Sequence, residues 1–170
     1  MHTYSIKTFT VFYSQEEERI RLDCVDAQDA KLGIWFTRRL FDRVIPTLAE
    51  QVKVEVAKKS YVKLEQEIMQ LQAKQERLSQ APETPVRINT ETKMFLCRTV
   101  HFKKSQNDII VVIFTDDQTI EANMGLHHVD IRKVLGIFHA VYLKANWSIE
   151  IFPTWVSNQK QAPNSKMNVH

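Results

Sequence analysis

Phe41, Val44, Ile45, Leu48 and Val52 recur at i, i+3, i+4, i+7 and i+11, a spacing that gathers apolar side chains on one face of a helix. Ninety residues later Ile131, Val134, Leu135, Phe138 and Tyr142 repeat the stripe position for position. Upstream of each stripe the same shift lays Phe12 on Phe102, Ile20 on Ile110, Asp26 on Asp116 and Gln28 on Gln118. A shared periodicity of this kind predicts a doubled unit.

Within each copy the period-two segments read as strands. Tyr4, Ile6, Thr8, Thr10 and Phe12 fall on one side of the first, and Met94, Leu96, Arg98, Val100 and Phe102 on one side of its counterpart. Polar turns over 14–17 and 104–108 lead to second strands. Ile20, Leu22 and Cys24 alternate in one, whereas 109–114 is apolar on both faces and is expected in the sheet interior. Asp26–Asp29 and Asp116–Gln118 turn the chain into third strands carrying Leu32, Ile34 and Phe36, and Ile120, Ala122 and Met124. Thr37 stands at an N-cap position, with His127 or Asp130 in the matching place. Pro46 predicts a kink in the first helix, and Trp147–Pro153 reads as one last strand.

Between the copies Ala57, Tyr61, Leu64, Ile68, Leu71, Gln75 and Leu78 alternate steps of four and three, a heptad seam. Lys58, Lys59, Glu65, Glu67, Gln70, Lys74, Glu76 and Arg77 cover the other faces. A helix unbroken from Thr37 to Gln80 would span about 60 Å at ~1.5 Å per residue, so it must project or fold back; Val52, Val54 and Val56 favour a break.

The expected fold class is therefore α+β: duplicated β-β-β-α units with antiparallel sheet or sheets, two main helices and a long heptad-patterned helical extension between the repeats. The first repeat takes 1–52, the extension 53–80, a linker 81–90, the second repeat with a final strand 91–155, and a disordered tail 156–170, all within one compact domain. A chain of 170 residues can bury one full core.

Composition narrows function only by exclusion. Lys plus Arg number 23 against 20 for Asp plus Glu, a net charge of +3 without a polybasic block. No apolar run approaches the ~20 residues that span a bilayer, and Met1–Lys7 lacks a basic-then-apolar leader pattern, so a soluble cytoplasmic protein without membrane contact is expected. Cys24 and Cys97 lie in apolar strand patterns as small buried hydrophobes. His127, His128 and Asp130 cluster at a strand–helix junction with His139 beyond, but neither His127 nor His128 stands three or four residues from His139, so no metal is assigned. The turn aspartates Asp23, Asp26, Asp29, Asp116 and Asp117 are read as local caps. Three glycines, at 33, 125 and 136, build no phosphate-cradling loop, and no serine stands in a nucleophile elbow. We therefore expect no catalytic residues, no cofactor and no enzyme activity.

Two functions fit. The first is an assembly protein that forms a homodimer, or meets a helical protein partner, through Ala57, Tyr61, Leu64, Ile68, Leu71 and Leu78. The second is single-stranded nucleic-acid binding. There Tyr13, Trp35, Phe95 and His101 would supply stacking surfaces beside Lys7, Arg19, Arg21, Arg98, Lys103 and Lys104.

Overall fold

The structure, a computed structural model, describes residues 2–52, 62–81 and 84–157. In chain order these form β1 (His2–Ser14), β2 (Arg19–Asp26), β3 (Lys31–Thr37), α1 (Arg38–Glu50), α2 (Val62–Ser79), β4 (Met94–Leu96), β5 (Thr99–Lys104), a short 3-10 turn (Gln106–Asp108), β6 (Ile110–Thr115), β7 (Ile120–Leu126), α3 (His128–Lys144) and α4 (Thr154–Ser157).

All seven strands join one sheet in the order β4-β3-β2-β1-β7-β6-β5, curled into a half-barrel. Hairpins give antiparallel pairs within each repeat. Two further pairs are parallel: His2–Ser5 of β1 runs beside Ile120–Asn123 of β7, and Met94–Leu96 of β4 beside Gly33–Trp35 of β3. Each repeat thus opens its first strand against the third strand of the other repeat. The sheet is one mixed body that neither repeat completes alone.

This corrects the expected fold class in two respects. The sheet is mixed, because period-two alternation records which face is buried and carries nothing about strand direction. Among the described residues the helices are four, and the long heptad-patterned helix is absent. α1 stops at Glu50, where the Gln51 amide folds back on Leu48 and Ala49 carbonyls, and α2 is a separate 18-residue helix packed on α3 and α4. Ala57, Tyr61, Val54 and Val56 lie outside the described residues, as does 158–170 of the expected tail. Trp147–Pro153 is not a strand: it turns, with Phe152 N–H donating to the Ile149 carbonyl at 3.0 Å, and leads into α4. α1 continues through Pro46, whose missing donor falls on an exposed position.

Local chemistry repeats at the 90-residue spacing. Asp26 Oδ1 accepts from the amides of Gln28 and Ala30, and Asp116 Oδ1 from those of Gln118 and Ile120, all within 2.8–2.9 Å. Those amides, with Ile120 the foremost, hold the Asp116 carboxyl well below the ordinary aspartate range. Thr37 Oγ1 accepts from Leu40 N–H at 3.3 Å to cap α1, while Asp130 reaches back to the His127 amide at 3.2 Å to open α3.

The core lies between the sheet and α1 with α3. Phe41, Val44, Ile45 and Leu48 of α1 and Ile131, Val134, Leu135, Phe138 and Tyr142 of α3 are buried. The repeats meet at four rings, Phe36 on Phe41 and Phe114, and Phe41 on Phe138, with edge-to-face centroids 4.7–5.3 Å apart. Tyr142 Oη donates to Asp42 Oδ1 at 2.9 Å, tying α3 to α1; burial first, then this bond, raises the phenol above its usual value.

One alternation is displaced. Ile6 pairs with Asp26 and Thr8 with Val25, so Lys7 is an extra residue in β1 and reverses the parity beyond it. Phe9, Val11 and Tyr13 therefore pack on the core, and Phe12 points away from it, 47% exposed. On that outer face residues 84–93 cross β3 closely: a Cβ on Gly33 would come 2.6 Å from Met94 Cγ and 2.9 Å from Ile88 Cδ1.

The bulge assigns opposite fates to neighbours. Tyr13→Ala, which empties the space against Trp147, should lower unfolding free energy by about 2–3 kcal/mol, whereas Phe12→Ser should change it by less than ~1 kcal/mol. Urea unfolding of both variants checks this, and equal losses would contradict the assigned parity.

Candidate functional site

α2 reverses the usual rule for a helix on a globular body. Its buried residues are Gln66, Gln70 and Ala73, each at 2–3% exposure, while Leu64, Ile68, Leu71 and Leu78 stand 46–68% exposed. At ~100° per residue the 66/70/73 stripe and the 64/68/71/75/78 stripe are centred on opposite sides of the helix. The polar side is docked and the apolar side faces outward.

Arg132 explains the docking. This α3 residue is 2% exposed, and a buried guanidinium needs acceptors and ring faces to replace water. It donates from Nη2 to Gln66 Oε1 and from Nη1 to the Gln66 carbonyl at 3.4 Å, and it lies over the Trp155 ring, 4.9 Å from the centroid. Gln66 Nε2 donates onward to the Val52 carbonyl at 3.4 Å, and Gln70 Nε2 to the Arg132 carbonyl at 3.0 Å. Gly136 faces this bond, and a Cβ there would meet Gln70 Nε2 at an ordinary contact distance of 3.6 Å. Lys133 and Glu76 pair at the edge, 2.9 Å apart. Residues at 66, 70 and 73 form an i, i+4, i+7 stripe of their own, which a search for apolar periodicity alone passes over.

Of the expected interface residues, Leu64, Ile68, Leu71 and Leu78 share this one exposed face of α2, and Gln75 lies exposed among them. Ala57 and Tyr61 lie outside the described residues.

The cations and aromatics considered for nucleic acid are spread more widely. Arg19, Arg21 and Trp35 lie on the outer face of β2 and β3, Arg21 directly opposite Trp35. The Arg21 guanidinium sits between the rings of Phe12 and Trp35, 4.8 and 5.0 Å from their centroids, and bonds Asp23, with Nη2 to Oδ2 at 3.0 Å. Arg19 pairs with Glu17 at 3.5 Å. Lys7 is the exposed bulge residue of β1, and Arg98 is exposed between β4 and β5. Lys103 and Lys104 lie on edge strand β5, where Lys104 pairs with Asp108 at 3.0 Å. β2 and β5 are separated by β1, β7 and β6, about 19 Å at ~4.8 Å per strand. Phe95 is buried, Tyr13 packs on Trp147 and His101 is exposed.

The remaining titratable groups have structural surroundings. Burial pushes the Cys24 and Cys97 thiols up to about 12 each. His127 caps α3, and His139, beside the Phe152 ring, is held below the ordinary histidine value by burial. No helix among the described residues is long and apolar enough to cross a membrane. Comparison with protein-family models, with curated proteins and with solved structures finds no match to this chain.

The polar dock and the apolar seam should respond oppositely to substitution. Gln66→Leu, which strips an acceptor from buried Arg132, should destabilise the fold by about 2–4 kcal/mol, and Leu64→Gln by no more than ~0.5 kcal/mol in dilute solution. Chemical denaturation measures both, and a Leu64→Gln loss as large as that of Gln66→Leu would show the seam to be buried. Because both thiols ionise more readily in the unfolded chain, stability should fall as pH rises from about 9 towards about 12. The native protein should also resist thiol titration at pH 8 until it is unfolded.

Proposed function

We propose that the protein is a non-enzymatic assembly protein that pairs with a second copy of itself through the outward face of α2. The observation that carries this reading is the four exposed aliphatic side chains in heptad spacing on a helix whose opposite face is already bonded to its own body. A contiguous apolar stripe of this kind on a surface helix suits partner contact.

Charge selects the orientation. In an antiparallel pair Ile68 meets Leu71 of the second copy and Leu64 meets Gln75, and the flanking positions then set Glu67 beside Lys74 twice about the two-fold axis. A parallel pair would set Glu67 beside Gln72 and form no such ion pairs. Gln75 opposite Leu64 lowers affinity and favours one register. Completing the burial of eight half-exposed aliphatic side chains contributes about 1 kcal/mol each, against an association cost of ~4–15 kcal/mol. Gain and cost are comparable, so the dimer should dissociate on dilution.

Sedimentation equilibrium across a concentration series should show exchange between the 19.9 kDa monomer and a species of twice that mass. Leu64→Glu with Leu71→Glu should leave only monomer. Glu67→Lys or Lys74→Glu alone should weaken the dimer, and the two together should restore it. A monomer at every concentration, or a dimer indifferent to the leucine changes, would defeat the reading.

A further inference from the structure

α2, α3 and α4 do not close completely on one another. The cleft between them holds about 220 Å³, enough for a small solute. Lys74 and Arg77 of α2 and Arg132 and Lys133 of α3 line it, and no carboxylate is among its lining residues. Glu76, which pairs with Lys133, stands outside that lining.

Buried polar atoms of Gln70 and His139 in the lining lack hydrogen-bond partners. Gln70 is 2% exposed, and donation from its Nε2 to the Arg132 carbonyl fixes the amide orientation, so its unpartnered Oε1 is an acceptor without a donor. Among the described residues His139 Nε2 is in the same condition. A buried polar atom left unmade costs about 1–3 kcal/mol, which a bound molecule would recover. Leu143 and Val156 give the cleft one apolar side.

We propose that this cleft binds a small phosphate ester carrying hydroxyl groups. Its phosphate lies between Arg77 and Lys133, a hydroxyl donates to Gln70 Oε1 and its carbon stem rests on Leu143 and Val156. Several cations around a small volume match a group of charge near −2, and a phosphate monoester carries about −1.5 to −2 at neutral pH. A hydroxyl on the carbon stem can donate to Gln70 Oε1 while the phosphate stays on the cations, a reach that inorganic phosphate does not have. Lys74 lies on the boundary between the cleft and the apolar seam. Arg77 and Ala140 line the cleft and take no part in the proposed dimer contact.

Isothermal titration calorimetry on the full chain, with glycerol 3-phosphate, inorganic phosphate, citrate and glycerol as probes, tests the proposal. Glycerol 3-phosphate should bind at least about tenfold tighter than inorganic phosphate, with no heat from glycerol and weakening as salt is raised. Arg77→Gln, at an exposed position, should weaken binding about tenfold, and Ala140→Trp, at an exposed lining position, should abolish it. No binding at millimolar concentration, parity with inorganic phosphate, tighter binding of citrate, or unchanged affinity in both variants would overturn the proposal.

Discussion

The burial of one cation, Arg132, organises the half of the molecule that faces outward. A guanidinium at this depth must find acceptors, and α2 supplies them as a side-chain oxygen and a backbone carbonyl of Gln66 while α4 supplies the Trp155 ring. That requirement fixes which side of α2 lies down. Once the glutamine stripe is docked, helix geometry alone turns Leu64, Ile68, Leu71 and Leu78 to the outside. The same docking leaves the cleft beside it, because a polar helix face held by a few long side chains does not fill space as leucines would. The seam and the cleft are thus two consequences of a single choice.

The inner half obeys a different constraint. Each repeat starts its first strand on the third strand of the other, so neither can finish its share of the sheet alone. Phe36 and Phe41 from one repeat and Phe114 and Phe138 from the other then meet in one ring cluster. Contacts between residues as far apart as His2 and Ile120 close long loops, which slows folding and makes the body cooperative. α2 rests on this completed body through α3 and α4.

Features whose signal is local were legible in the chain. The α1 and α3 stripes, the Thr37 cap and the aspartate turns each rest on residues a few positions apart. Strand direction was not, because parallel pairing of β1 with β7 and of β4 with β3 joins segments distant in sequence. The parity of β1 was lost to a single inserted residue, Lys7, which no alternation count can locate. The heptad spacing marked out the face of α2 that now stands exposed, and Val52 stands at the expected break, just past the end of α1 at Glu50; the extension was read as too long, because α2 is an 18-residue helix and not a long heptad-patterned one. Arg132 carried no sequence signal at all: an arginine inside a helix reads as a surface residue until its neighbours are known.

The orientation of α2 is the claim on which the assembly reading depends, and thiol accessibility measures it directly. Cysteine can be placed at Leu71 or at Ala73 while the buried Cys24 and Cys97 stay silent. In dilute solution Cys at 71 should react at the rate of a free thiol and Cys at 73 only on unfolding, with protection at 71 growing as concentration rises. A slow thiol at 71 and a fast one at 73 at every concentration would mean that the apolar side is the docked one, and the account would fail.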